Sequence, residues 1–242
     1  MTIELRSVTD KNFVEWRKAV RQGFGIHVHP DDIARLRNDR AELHRLIAAV
    51  DTGSERIVGT GGADSYSLTV PGGAVVSMAG VAYMTTSVTH RRQGAFSGMM
   101  NHIHDEARER GDIVSGLWAS QAHLYSRFDY GLGVNSYDWE IDPGFGSFSH
   151  SPISDDDKSD AHVYFVDADE AAAMLPGIYE QMRQQTIGSV DRNPGRWRYQ
   201  LFDEERIRDG ASALFFAICE EDGEQTGYVA YRMRRKGDTD MG

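Results

Sequence analysis

One segment of the sequence, residues 88–97, has the composition of a phosphate-binding loop. It joins the end of a predicted strand to the start of a predicted helix, and it contains Arg91, Arg92 and Gly94. A helix N-terminus presents unpaired backbone N–H groups and the positive end of the helix dipole, and both attract phosphate groups. Glycine lets the backbone approach a ligand closely, and the arginines add positive charge. The segment therefore predicts a site for a phosphate or diphosphate.

Two better-known nucleotide-binding loops are excluded by the residue types. A Walker loop requires Gly-Lys followed by Ser or Thr at the start of a helix, and this combination does not occur in the sequence. Residues 59–64 partly match a dinucleotide-binding glycine loop, but Asp64 stands where the third glycine is required and no predicted helix follows. We interpret this stretch as a flexible strand.

The remaining reactive residue types do not form a recognisable metal or nucleophile site. His27 and His29 alternate in a predicted loop, and His102 and His104 are two positions apart on a predicted helix, so that they point to different sides. Cys219 is the only cysteine and lies in an apolar, strand-like run, which indicates a small buried hydrophobe. We therefore expect no metal site.

The elements that position the loop form a first α/β domain, predicted at residues 1–145. Alternating and helical hydrophobic patterns define its strands and helices. The predicted strands are residues 2–6, a strand beginning at 56, 74–88, 113–118 and 134–141, and the predicted helices are 13–24, 31–49, 96–110 and 122–128.

A second domain is predicted at residues 161–242, after a polar linker at residues 146–160. It repeats the order strand, helix, helix, hairpin, with a helix break at Pro176. The repeat lacks counterparts of the phosphate loop, its helix and the following strand. We therefore expect an incomplete second domain without a ligand loop of its own.

The composition excludes several classes of protein. The 242 residues are 40% hydrophobic and 26% charged, with a formal net charge of -11. No apolar run approaches the ~20 residues of a membrane helix, and the first residues lack the apolar stretch of a signal peptide. We therefore expect a globular, cytoplasmic protein with no membrane partner. The negative charge disfavours nucleic acid and favours cationic partners.

Several strings around the loop resemble a known family. They are residues 79–81, 89–94, 119–120 and the distinctive Leu-Tyr-Ser-Arg-Phe-Asp-Tyr-Gly at residues 124–131. Together they resemble the coenzyme A site of the Gcn5-related N-acetyltransferase (GNAT) superfamily, in particular its Eis (enhanced intracellular survival) branch. The resemblance implies an α/β (α+β) GNAT fold, with a mixed central sheet flanked by helices and followed by a partial second GNAT-like domain.

The resemblance also implies a site for acetyl-CoA, used as the acetyl donor. A strand that diverges from its neighbour would offer backbone groups to the pantetheine arm, the loop would hold the diphosphate, and the next strand end would complete the cleft. The implied acetyl-CoA-binding residues are Met84, Thr85, Thr86, Arg92, Gln93, Gly94, Ala95, Phe96, Ser97, Ser120 and Gln121. Many superfamily members carry Gly or Ala where this sequence has Phe96, so that side chain is expected to turn into the core.

Roles in the transfer of the acetyl group follow from the same resemblance. Tyr125 matches the family's tyrosine that protonates the departing thiolate, and a phenol with a pKa of ~10 is a protonated donor at neutral pH. Tyr83 and Trp118 match positions that line the acceptor pocket, where aromatic faces suit a cationic amine. The Eis branch takes its base from the carboxylate of its own C-terminus, which has no match here, so the base is left open.

The sequence thus favours an N-acetyltransferase that joins acetyl-CoA and an amine in a ternary complex. The amine could be aminoglycoside-like, polyamine-like or the side chain of a lysine, and a protein lysine or N-terminus is a rival acceptor. A CoA-binding module or fragment without turnover is the alternative from another class. A homo-oligomer is implied by the Eis resemblance alone.

Overall fold

The computed structural model describes residues 2–39, 42–135, 137, 139–142, 144 and 161–234. The chain divides into two compact units, Met1–Gly131 with Arg183–Gln200, and Leu132–Met182 with Leu201–Gly242. The predicted linker at residues 146–160 lies outside the described residues. No described helix is both long and apolar enough to cross a membrane.

The first unit is built on a five-stranded mixed sheet in the order β1-β2-β3-β4-β5. Strands β1 to β4 pair in antiparallel fashion, and β5 lies parallel to β4. The strands are β1 (Ile3–Ser7), β2 (Leu46–Asp51), β3 (Arg56–Thr69), β4 (Val75–Thr86) and β5 (Val114–Leu117). The helices are α1 (Phe13–Gly23), α2 (Pro30–Asp39), α3 (Ala95–Arg110) and α5 (Pro194–Gln200).

Helices cover both faces of this sheet. On one face, Trp16 of α1 is fully buried and its indole N–H donates to the Ile47 carbonyl at 2.9 Å. On the other face, Met99 and Met100 of α3 are fully buried. Each large apolar side chain buried in this way contributes roughly 1.5–3 kcal/mol. The two layers hold α3, and therefore the loop before it, in a fixed position on the sheet.

Strand β4 is irregular at the place where it leaves β5. Its parallel pairing with β5 ends at Val81↔Leu117, whereas β4 continues to Thr86. On its other side the pairing with β3 shifts by one residue between Thr60 and Gly62. A β-bulge of this kind bends a strand and re-aims its side chains. The unpaired edge of β4 and its bend therefore lie in the same segment of the strand, after Val81.

The second unit contains a three-stranded antiparallel sheet in the order β6-β7-β8. The strands are β6 (His162–Val166), β7 (Phe215–Glu221) and β8 (Glu224–Tyr231), and helix α4 (Ala168–Gln185) follows β6.

Helix α5 was predicted at residues 195–205 as part of the second domain. It groups instead with the first unit. There, Arg198 of α5 pairs with Asp39 of α2 at 2.8 Å.

The predicted α/β fold class is confirmed, but three predicted elements are wrong. The predicted helix at residues 31–49 is helical only to Asp39, and its second half is strand β2. Every residue of β2 is buried, so its apolar run lacks the alternation of a half-exposed strand. The described residues 134, 135, 137 and 139–141 do not form the predicted strand, and α4 runs through Pro176 without a break.

Candidate functional site

A cleft of about 730 Å³ opens where β4 and β5 diverge, next to the N-terminus of α3. It lies entirely within the first unit. Its walls come from the end of α1, the unpaired part of β4, the loop before α3 and the segment after β5. The lining residues are 23–24, 81–86, 90–92, 94–97, 118, 120–121, 124–125 and 127.

The β4 wall of the cleft consists of backbone that no longer pairs with β5. Residues 82–86 lie beyond the last β4–β5 pair, and their other edge is occupied by β3. Thr85 is fixed by its hydroxyl, which lies 2.6 Å from the Thr60 hydroxyl. The groups on the free edge can therefore pair with an extended amide-containing ligand in the manner of an added strand.

The loop before α3 has the geometry of an anion-binding turn. Arg92 has φ 61° and Gly94 has φ 85°, both in the left-handed region, and α3 begins at Ala95. The first backbone bond of the helix is donated by the Gly98 N–H to the Gly94 carbonyl at 2.8 Å. The three preceding amides, of residues 95–97, have no carbonyl within the helix to pair with and line the cleft.

His90 ties the base of this loop to the hairpin between β2 and β3. Its Nδ1 lies 2.8 Å from the Thr89 hydroxyl, and its Nε2 lies 3.8 Å from an oxygen of Asp51. Hydrogen bonds from the Ser54 hydroxyl and the Gly53 N–H lower the pKa of Asp51. The charged carboxylate therefore lies beside the histidine where the loop enters the cleft.

Tyr125 lines the cleft from the segment after β5. Its ring packs against Phe96 and Tyr130, at 5.7 and 6.0 Å between centroids. Burial raises the pKa of the Tyr125 phenol, because the ionised form is less well solvated there. In the described part of the chain its hydroxyl has no hydrogen-bond partner. Tyr125 is therefore a neutral phenol that can donate a proton to a group in the cleft.

Strand β4 and the end of α1 contribute another part of the cleft wall. Tyr83 has φ 62°, unusual for an aromatic residue, and its hydroxyl donates to buried Asp64 at 3.1 Å. Its ring contacts Trp16 edge-on at 5.3 Å. Trp118 lines the cleft but is 81% exposed. Tyr83 and Trp118 thus give the cleft one fixed ring and one ring open to solvent.

The cleft brings together all the residues that the sequence assigned to a site, except Gln93, which does not line it. Phe96 turns inward and packs on the core as expected. Sequence reasoning missed Phe24, which no local pattern marks, and gave no role to His90, although His90 lies within the predicted phosphate loop. It also missed Arg127, whose guanidinium lies over the rings of Phe96 and Phe128 at 5.4 and 4.9 Å.

Potential metal ligands do not cluster. Among the residues that the structure describes, no group of three or more His, Cys, Asp or Glu side chains is placed to hold a metal ion. The described residues that line the cleft supply backbone amides, cationic side chains and a neutral phenol.

Comparisons of this chain with known sequences all indicate the same family. A sequence profile described as Acetyltransferase (GNAT) domain matches residues 4–133, and a second profile with the same description matches residues 188–241. An uncharacterized N-acetyltransferase of Streptomyces avermitilis is 32% identical over 97% of this chain and 56% of its own length. The N-acetyltransferase Eis of Mycobacterium tuberculosis is 31% identical over 69% of this chain and 40% of its own length.

Solved structures agree on the fold. Eis1 from Mycobacterium abscessus has a TM-score of 0.67 and 24% identity, covering 96% of this chain and 53% of its own. The chain thus spans between 40% and 56% of the length of these relatives. The resemblance to the GNAT superfamily and its Eis branch is confirmed. Because a GNAT profile covers more than half of its residues, the chain belongs to the GNAT acetyltransferase family.

Proposed function

We propose that this protein is an acetyl-CoA-dependent N-acetyltransferase that transfers the acetyl group directly to an amine in a ternary complex. The observation that carries the proposal is one cleft, lined by a free strand edge, a helix N-terminus with two arginines, and a half-buried neutral phenol. The predicted first domain, residues 1–145, contains all of these groups.

The features of the cleft match the diphosphate, the pantetheine arm and the thioester of acetyl-CoA in turn. The amides at the start of α3, with Arg91 and Arg92, would hold the diphosphate. The free edge of β4 at residues 82–86 would pair with the amides of the pantetheine arm. This arrangement directs the thioester towards Tyr125 and Tyr83, which line the same cleft.

The transfer itself requires two proton movements. The neutral amine attacks the thioester carbonyl, so that a C–N bond forms and the C–S bond breaks. Tyr125 gives its proton to the departing thiolate, and the proton released by the amine passes to solvent, from which Tyr125 is restored. Because the cleft holds both reactants together, the bimolecular reaction becomes effectively unimolecular.

The acceptor is proposed to be a cationic amine, of the aminoglycoside, polyamine or lysine type. The net charge of -11 attracts such molecules over long distances. The aromatic faces of Tyr83 and Trp118 provide contacts for an ammonium group at the end of the cleft. A homo-oligomer is proposed from the Eis resemblance, and light scattering of the purified chain would test it.

A CoA-binding protein without turnover is the second candidate. One observation favours it: none of the described residues that line the cleft is an aspartate or glutamate. No carboxylate of the described lining is therefore in place as a base, and an amine that enters unprotonated does not need one.

The two candidates differ in a direct experiment. Calorimetry would measure binding of acetyl-CoA, and a thiol assay would measure CoA release with kanamycin, spermidine and Nα-acetyl-lysine. Binding with release above the hydrolysis rate for any amine supports the transferase. Binding without release supports the second candidate, and the absence of binding contradicts both.

A further inference from the structure

We infer that Tyr130 is a positioning residue that holds the phenol of Tyr125 in its reactive direction. The inference rests on the proposed function, in which Tyr125 protonates the leaving thiolate. It concerns a half-buried chain of hydrogen bonds next to the cleft, formed by His104, Tyr130 and Ser115.

The backbone first brings the two tyrosines together. The carbonyl of Tyr125 accepts hydrogen bonds from the N–H groups of Phe128 at 2.9 Å and Tyr130 at 3.4 Å. Asp129 between them has φ 65°, and this left-handed residue reverses the chain. The result is an edge-to-face contact between the rings of Tyr125 and Tyr130, with centroids 6.0 Å apart.

The hydroxyl of Tyr130 then fixes its ring to two other elements. It lies 3.0 Å from Nε2 of His104 on α3 and within hydrogen-bond distance of the Ser115 hydroxyl on β5. Ser115 donates its own proton to the Ala79 carbonyl of β4 at 3.3 Å. With Ser115 donating to Ala79, the hydroxyl of Tyr130 can donate to Ser115 and accept from His104. These contacts link α3, β5 and β4 through the hydroxyl of Tyr130.

Burial keeps the members of this chain neutral. It raises the pKa of Tyr130, which the hydrogen bond with Ser115 partly offsets, and it lowers the pKa of His104. Neutral groups joined by satisfied hydrogen bonds are retained in a partly buried site at low cost. The hydroxyl of Tyr130 is therefore held in place without an ionic partner.

Tyr125 depends on this support because it has little of its own. Within the described residues its hydroxyl forms no hydrogen bond, so its direction is set by the ring contacts with Phe96 and Tyr130. A displacement of about 1 Å at a reacting group can lower a rate by about a hundredfold. Loss of the hydrogen bonds that hold the Tyr130 ring should therefore lower turnover. It should do so only by changing the position of the Tyr125 phenol.

The test is a double-mutant cycle with Tyr130→Phe and Tyr125→Phe. We expect Tyr130→Phe to lower kcat about tenfold while the Kd of acetyl-CoA changes less than about twofold. In the Tyr125→Phe background the same change should have no further effect, because no phenol remains to be positioned. Kd is measured by calorimetry and kcat by CoA release.

His104 supplies a matched pair of variants. His104→Leu removes the donor to Tyr130 and should also lower kcat, whereas His104→Gln keeps an N–H donor and should recover most of the lost turnover. If Tyr130→Phe does not fold, this pair and Ser115→Ala carry the test instead. Each is combined with Tyr125→Phe in the same way.

Additive losses in the cycle would overturn the inference, as would an unchanged kcat for Tyr130→Phe or a parallel loss of acetyl-CoA binding. Failure of the proposed function is recognised separately. If the unmodified chain releases no CoA with any amine, the function fails. If Tyr125→Phe alone has no effect, the acid role fails, and the inference fails with it.

Discussion

The ring of Phe96 lies 5.7 Å from the ring of Tyr125, and it belongs to the first turn of the helix whose N-terminus faces the cleft. One side chain therefore connects the anion-binding turn with the phenol proposed as the acid. Arg127 lies over the outer face of the same ring at 5.4 Å. The large residue at this position, where many GNAT proteins carry Gly or Ala, thus has a structural use that a small residue could not supply.

Replacing Tyr125 with phenylalanine should lower kcat about 10²- to 10³-fold, because the thiolate would leave without a proton. The Kd of acetyl-CoA should change less than about threefold, since the ring contacts with Phe96 are kept. CoA release and calorimetry would measure the two quantities. Tyr137→Phe is the matched control, because Tyr137 is 78% exposed and lies outside the cleft. Equal activity of the two variants would remove Tyr125 from the mechanism.

The pH profile should carry a signature of the same residue. A general acid works only while protonated, and burial raises the pKa of Tyr125. The alkaline decline in turnover should therefore begin above the ~10 of an ordinary tyrosine. The residual activity of Tyr125→Phe should lack this alkaline decline. A decline that persists in the variant would assign it to another group.

Gly94→Ala should weaken acetyl-CoA binding about five- to tenfold. A Cβ at this position would meet no atom within 4 Å, so the penalty comes from the backbone, whose φ of 85° costs an alanine roughly 1 kcal/mol or more. Relaxation of that φ would turn the amides of the first turn away from the diphosphate. Gly98→Ala is the control, since Gly98 is helical and its Cβ would make only an ordinary 3.6 Å contact. Calorimetry should find unchanged affinity there.

Local patterns predicted much of the fold. Strand β1 and helices α1 and α3 were predicted because each shows an apolar face and a clear stop signal. Strand β2 was missed because it is buried on both faces, so its apolar run lacks the alternation that marks a strand. Helix α4 continues through Pro176, which shows that tertiary packing can outweigh a local breaker.

The site was predictable where its residues adjoin in sequence, as in the loop before α3. It was not predictable where distant segments meet. Phe24 enters the cleft from the end of α1, and the Asp51–His90 contact of 3.8 Å joins a hairpin to the loop. Such contacts depend on the path of the chain, which spacing along the sequence does not record. The distances between the proposed acid and the loop likewise come from packing.

Arg127→Gln should weaken acetyl-CoA binding about five- to twentyfold, the scale expected for one charge-assisted hydrogen bond. The rings of Phe96 and Phe128 hold the guanidinium at the cleft wall, where it can meet a phosphate. The difference in affinity between the unmodified protein and the variant should shrink as the salt concentration rises. Salt screens the attraction between the Arg127 guanidinium and the phosphate in the unmodified protein. Arg108→Gln is the control, since Arg108 is exposed and paired with Asp105. Equal affinities for the two variants would exclude a phosphate contact.

Asp203→Asn should destabilise the second unit by about 1–2 kcal/mol at neutral pH. Burial opposes ionisation of Asp203, but hydrogen bonds from the Leu214 N–H, Arg232 and Arg208 outweigh it and lower the pKa to about 2. A lowered pKa means that the stabilisation is complete above the unfolded value of 3.8 and is lost as the pH falls through about 2. The difference in the free energy of unfolding between wild type and Asp203→Asn should therefore shrink over that pH interval.

Hydrogen exchange of the β7 and β8 amides would measure this difference. Asp209→Asn is the control, because the partner of Asp209, Arg234, is exposed. It should change stability by less than about 0.5 kcal/mol. A difference that stays constant down to about pH 2 would show that packing, and not the charge of Asp203, is responsible.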